Sequence, residues 1–118
     1  MRALMVAVIA VTASAAVADD IDDAHRQAVS GRDTYWNCLA REYSRDSNRG
    51  MSGQDFTSLI AGVCSSERQN FRVTLVDYLS LQFPDGDAGT HMTAANNAIA
   101  AAQKDVVTAF IKHRAAMK

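Results

Sequence analysis

The residues best placed to do chemistry in this chain are Cys38 and Cys64, its two cysteines. A cysteine pair serves as a structural disulfide or a redox couple, or stays as two free thiols. Redox couples usually sit close together, as in C-x-x-C. These two are separated by 26 positions, so a structural disulfide is the expected use.

The remaining reactive side chains are sparse. Glu42 and Glu67 are the only glutamates, and a buried carboxyl with a raised pKa is a candidate general acid or base. Arginines neighbour both, which points to ion pairs. Arg41 and Arg45 are spaced i, i+4, as are Arg68 and Arg72. With Trp36 they form a candidate interaction surface, because guanidinium forks suit carboxylate or phosphate groups. The other reading of these arginines is a solvated face with interleaved acids. His25, His91 and His113 belong to no paired-ligand spacing such as H-E-x-x-H. His25 with Asp22, or His113, remains the candidate for a metal- or haem-binding bundle.

Familiar motifs are absent. No G-x-S-x-G, P-loop or C-x-x-C-H occurs. Asp85-x-Asp87 opens like a calcium loop. The fifth, sixth and twelfth positions then hold Gly89, Thr90 and Asn96, where that loop needs an oxygen ligand, glycine and glutamate. The segment therefore reads as a helix-joining turn. No catalytic residue, metal ligand or cofactor is assigned.

Such side chains need elements to hold them, and the chain divides clearly. Its first 18 residues carry one charge, Arg2, then an apolar run from Ala3 to Val11, and close on Ala16-Val17-Ala18 before the acidic Asp19-Asp20. A basic start, an apolar middle and an A-x-A site define a secretory signal, expected to be cleaved after Ala18. A spanning helix needs about 20 apolar residues, more than this segment offers, so no membrane span is expected in the mature chain. Removing Arg2 takes the formal net charge from −1 to −2, too weak a field to suggest a nucleic-acid partner.

Residues 19–118 suit one domain. Apolar positions recur at helical steps in three segments, about 21–45, 53–83 and 90–117. The first carries Ile21, Ala28, Tyr35 and Leu39. The second carries Phe56, Ile60, Val63, Phe71 and Leu75, with Glu67 interrupting. The third carries Met92, Ala95, Ile99, Ala102, Val106, Phe110, His113 and Met117. Ser52 with Asp55 resembles a helix-start cap; Pro84 ends the second segment. Lys112, His113 and Arg114 suit the negative end of the third helix. The expected fold is all-α: a small antiparallel three-helix bundle stapled by one disulfide.

The hairpin of the first two helices gives the disulfide a geometric basis. With its turn centred near Met51, Cys38 lies 13 residues before and Cys64 13 after. Helices rise equally per residue, so the two cysteines come level, and Gly31 comes opposite Phe71. An exported chain normally oxidises such a pair.

The functional expectation is a non-catalytic exported protein, with the bacterial periplasm favoured over secretion, that binds a protein partner or small ligand. A small exported enzyme using Glu42 or Glu67 is the first alternative, and a metal- or haem-binding bundle the second.

Overall fold

The computed structural model describes residues 4–116, with side chains from Val17 onward. The apolar run of the signal segment, Ala3 to Val11, lies outside the described side chains. Four α-helices follow in order: α1 (Leu4–Ser44), α2 (Gly53–Gly62), α3 (Ser65–Gln82) and α4 (Ala88–Ala116), with a 3-10 turn at Asp46–Asn48. Among the described residues there is no strand, and no helix is long and apolar enough to cross a membrane.

The fold is all-helical, but the expected count of three helices is one too few. The second segment is two helices. Val63 is extended, and Cys64 adopts a left-handed conformation at φ 60°, ψ 39°. A non-glycine residue enters that region at a cost of about 1–2 kcal/mol, so something must hold it there. Its side chain is bonded to Cys38, with Cα atoms 6.1 Å apart. Arg68 reinforces the corner from α3 by donating to Ala61 O at 2.7 Å, where α2 runs out of intrahelical donors.

The first segment also differs from its expected limits. α1 begins at Leu4, well before residue 21. No glycine or proline interrupts the chain between Leu4 and Gly31, so nothing stops the helix there. The acids Asp19, Asp20, Asp22 and Asp23 therefore lie within the helix of the full chain.

α1 packs lengthwise on α3, α3 on α4, and α2 on α4. The α1–α3 register is the one the sequence implies. A methyl group at Gly31 would lie 3.2 Å from Phe71 Cα and 2.8 Å from Thr74 Oγ1. Glycine lets the helices approach at that level. Further along, the His25 and Tyr78 rings meet edge-on with centroids 5.0 Å apart.

The core takes Tyr35 and Leu39 from α1, Phe56 and Ile60 from α2, and Phe71 from α3. α4 adds Ile99, Ala102, Val106 and Phe110. Phe56 and Phe110 stack with centroids 3.8 Å apart, locking α2 onto α4. Polar groups inside are matched, as burial demands. Tyr35 Oη accepts from Gln103 Nε2 at 3.0 Å. No buried side-chain polar atom among the described residues lacks a partner.

The helix ends follow local chemistry. Ser52 Oγ accepts from the Asp55 N–H at 3.0 Å, capping α2. α3 stops at Gln82, two residues before Pro84. Asp87 Oδ1 accepts from the Thr90 N–H at 2.7 Å at the start of α4. That backbone bond, then the Thr90 side chain and the nearby His91, hold the Asp87 carboxyl below the usual aspartate range. The apolar stripe of α4 starts one residue earlier than expected. Met92 is exposed, while His91 is buried and its Nε2–H donates to Phe83 O at 3.0 Å. The turn needs a donor there, and methionine has none.

Candidate functional site

The candidate surface residues are engaged in separate local contacts. Trp36 is half-buried against the core. Arg41 is exposed on the outer side of α1. Arg45 pairs with Glu42 at 3.0 Å. Arg68 turns to the end of α2, donating to Ala61 O. Arg72 reaches across to α4, where its Nε donates to Asn96 Oδ1 at 2.9 Å.

The two glutamates differ. Glu42 is half-buried and committed: beyond Arg45, its Oε2 accepts from Asn48 Nδ2 at 3.1 Å. Glu67 stands beside the disulfide, with a carboxylate oxygen within 4.8 Å of both sulfurs. Both sulfurs are spent on each other, so this trio is not a ligand set in the oxidised protein. Among the described residues neither His25 nor His113 joins a cluster of three ligand-type side chains.

The side chains that do converge lie at the end of the bundle where α1 stops. Tyr43 and Ser44 come from the last turn of α1, Arg49 from just beyond the 3-10 turn, and Phe110, His113 and Arg114 from the end of α4. They enclose a cavity of about 240 Å³.

Each wall has a local cause. The 3-10 turn is pinned back on α1 because the buried Asn48 donates to Glu42 O at 2.9 Å. That brings Arg49 round to the cavity. Phe110 is fixed by its stack on Phe56. Residues 110, 113 and 114 then share one side of α4, since three- and four-residue steps return to the same face. Arg114 donates to Met51 O, and its guanidinium lies 6.0 Å from the Phe110 ring centroid. His113 is exposed, its ring 5.9 Å from that of Tyr43. Among the described residues the expected α4 stripe therefore ends at Phe110; its last member, Met117, lies outside them.

The electrostatics are distinctive. Two guanidiniums and an imidazole line the cavity, and among the described residues no carboxylate does. Asp46 offsets part of this charge from outside, 3.4 Å from Arg49. The carbonyl ends of α1 and α4 add partial negative charge. The site can offer several N–H donors and two hydroxyls to a small acceptor, beside aromatic walls.

Arg49 and Arg114 were not legible as a pair. Arg114 reads as ordinary charge complementing a helix C-terminus, and Arg49 as a turn residue. The one local signal is Phe110-x-x-His113-Arg114, which sets an aromatic and two basic groups on one side of a helix.

Among several other clefts, one of about 250 Å³ lies between α1, α3 and α4, lined by Ala28, Phe71, Leu75 and Tyr78 with His25 and Arg32 at its rim. It is apolar, with few groups to fix a ligand's orientation. No protein-family model, curated protein or solved structure matches this chain.

Proposed function

We propose that this is a non-catalytic exported protein, working in the bacterial periplasm or after secretion, that binds a small ligand. The observation that carries the reading is the cavity at the end of α1 and α4, where aromatic and basic side chains from three separated segments meet. Ligand sites characteristically combine apolar walls with a few placed polar groups.

Export is supported by the disulfide, which persists in oxidising compartments, and by the Ala16-Val17-Ala18 pattern. Cleavage after Ala18 would also give the Asp19–Asp23 acids a role. They would stand in the first turn of the shortened α1, where the helix dipole favours negative charge. The non-catalytic reading draws on Glu42, whose carboxylate is held by Arg45 and Asn48. A protein partner at Trp36, Arg41, Arg45, Arg68 and Arg72 finds less support, because several of those side chains are occupied within the fold.

Native mass spectrometry of the protein released from a bacterial periplasm tests the reading. The expected result is a chain beginning at Asp19, with Cys38 linked to Cys64 and a discrete small-molecule adduct lost in Arg114→Ala. An adduct-free protein whose melting temperature is unmoved by the small-molecule fraction of the envelope would overturn ligand binding. A chain still beginning at Met1 would overturn the export assignment.

A further inference from the structure

Resting on the ligand-binding reading above, we infer that the cavity at the end of α1 and α4 is a site for a small monocarboxylate with an aromatic body. The argument runs from charge, donors and size. Arg49 and Arg114 bring two permanent positive charges to the cavity. Asp46, 3.4 Å from Arg49, offsets one of them in formal charge. Among the described residues the formal charge left is one positive unit, before His113 is counted. Two helix C-termini beside the site add negative partial charge. A dianion such as phosphate is poorly matched to that balance; a monoanion fits it.

The donors suit a planar acceptor. Arg114 spends one donor on Met51 O, and a guanidinium carries five in a fixed fork. Its remaining N–H groups can meet a carboxylate side by side. The Tyr43 and Ser44 hydroxyls line the same space.

The walls select the rest of the ligand. The Tyr43, Phe110 and His113 rings border the cavity, and aromatic faces favour stacked or edge-on rings. At about 240 Å³ the space is below the ~300–1,000 Å³ of a drug-sized site, so a single ring with its carboxylate is the right scale. The carboxylate could belong to a free aromatic acid or to the C-terminal aromatic residue of a peptide. Both present the same group to the arginines.

The test is an NMR titration of the purified exported protein with benzoate, N-acetylphenylalanine, benzamide and inorganic phosphate. Benzoate should saturate within the millimolar range and shift the amides of Tyr43, Ser44, Arg49, His113 and Arg114. Benzamide, the same shape without the charge, should bind at least tenfold more weakly. Arg49→Ala, a change in an exposed turn, should weaken benzoate about tenfold, the scale of one lost charged hydrogen bond. Arg114→Lys keeps the charge without the fork and should weaken it comparably. N-acetylphenylalanine binding more tightly than benzoate supports the site with a peptide end as its source; the reverse order supports it with a free acid.

Equal binding of benzamide and benzoate would overturn the carboxylate inference while leaving a ligand cavity in place. Phosphate binding more tightly than benzoate would overturn it too. Absence of saturable shifts with every probe sinks the inference, and an envelope-derived adduct lost in Arg114→Ala would then keep the broader reading alive.

Discussion

The α1–α3 hairpin and the α2–α4 pair are held by different means. The hairpin is covalent at one level and tightly fitted at another: Cys38–Cys64 joins the helices, and Gly31 lets them close on Phe71 and Thr74. The α2–α4 pair has no crosslink and depends on apolar packing, above all the Phe56–Phe110 stack. Cys64 stands between them, ending the α2 corner and beginning α3. A break in one apolar segment has thus let a single chain section serve two partners, with α3 facing α1 and α2 facing the end of α4. The candidate site lies beside the uncrosslinked pair, so its walls should loosen before the hairpin does.

The largest effect that probes this contrast is expected from Phe56→Ala. Removing a fully buried phenylalanine typically costs about 3–5 kcal/mol. Hydrogen exchange should accelerate most in α2 and the last turns of α4, while α1 and α3 amides near the disulfide keep more of their protection. Uniform acceleration would show that the two regions unfold as one. Next comes Cys38→Ser with Cys64→Ser. Opening a loop with a separation of 26 residues should cost about 3.5 kcal/mol in the chain-entropy model. Urea unfolding at fixed m-value measures it. A loss below about 1 kcal/mol would mean that packing alone sets the hairpin.

Much of the hairpin was legible because its geometry is nearly one-dimensional. Helices climb at one rate, so seven residues beyond the Cys38–Cys64 bridge the α1–α3 register sets Gly31 against Phe71; the hairpin turn expected near Met51 is not what aligns them, because α2 leaves α1 to pack on α4. The corner at Val63–Cys64 was not legible. Periodicity reports which face is apolar, and the stripe through Ile60, Val63 and Phe71 continues across the break. Only Glu67 interrupts it. The left-handed backbone at Cys64 has no compositional signature, because glycine or asparagine usually marks such a position. The cavity was hidden for another reason. Tyr43, Arg49 and Arg114 each have a sufficient local explanation, and only tertiary folding brings them together.

Two smaller changes separate fit from connectivity. Gly31→Ala should destabilise the hairpin by about 1 kcal/mol: crowding typically costs about 1–3 kcal/mol, against a helix-propensity gain of about 1 kcal/mol. The added methyl would meet Phe71 Cα at 3.2 Å, and backbone cannot yield as a side chain does. Thermal melting measures it, and a stabilised variant would show that the helices can part without loss. At the corner, Cys64→Gly and Cys64→Ala are compared with Cys38→Ala in both. Glycine should be the more stable by about 1 kcal/mol if the corner stays left-handed without its crosslink. If alanine is equal or better, the disulfide itself imposes the corner, and α2 and α3 would tend towards one helix once it is removed.

The smallest effect concerns the end of the hairpin remote from the disulfide, where the α3–α4 turn relies on Asp87. Its carboxylate accepts the Thr90 N–H at 2.7 Å, and that bond is the leading reason its pKa lies below the usual range. A lowered folded pKa means that ionised Asp87 favours the folded state. The contribution is complete above the ordinary aspartate pKa of about 3.9 and disappears as pH falls through the lower folded value. Asp87→Ala should therefore melt below the parent protein by a constant interval from neutral pH to about pH 5. The interval should shrink below about pH 4 and close at more acid pH. Because Asp87 is exposed, the shift should be modest, and it should fray the first turn of α4 without disturbing Tyr43, Arg49 or Arg114 at the other end. A pH-independent interval would assign the cap to hydrogen bonding indifferent to charge; loss of order at the cavity would show that the two ends of α4 are coupled.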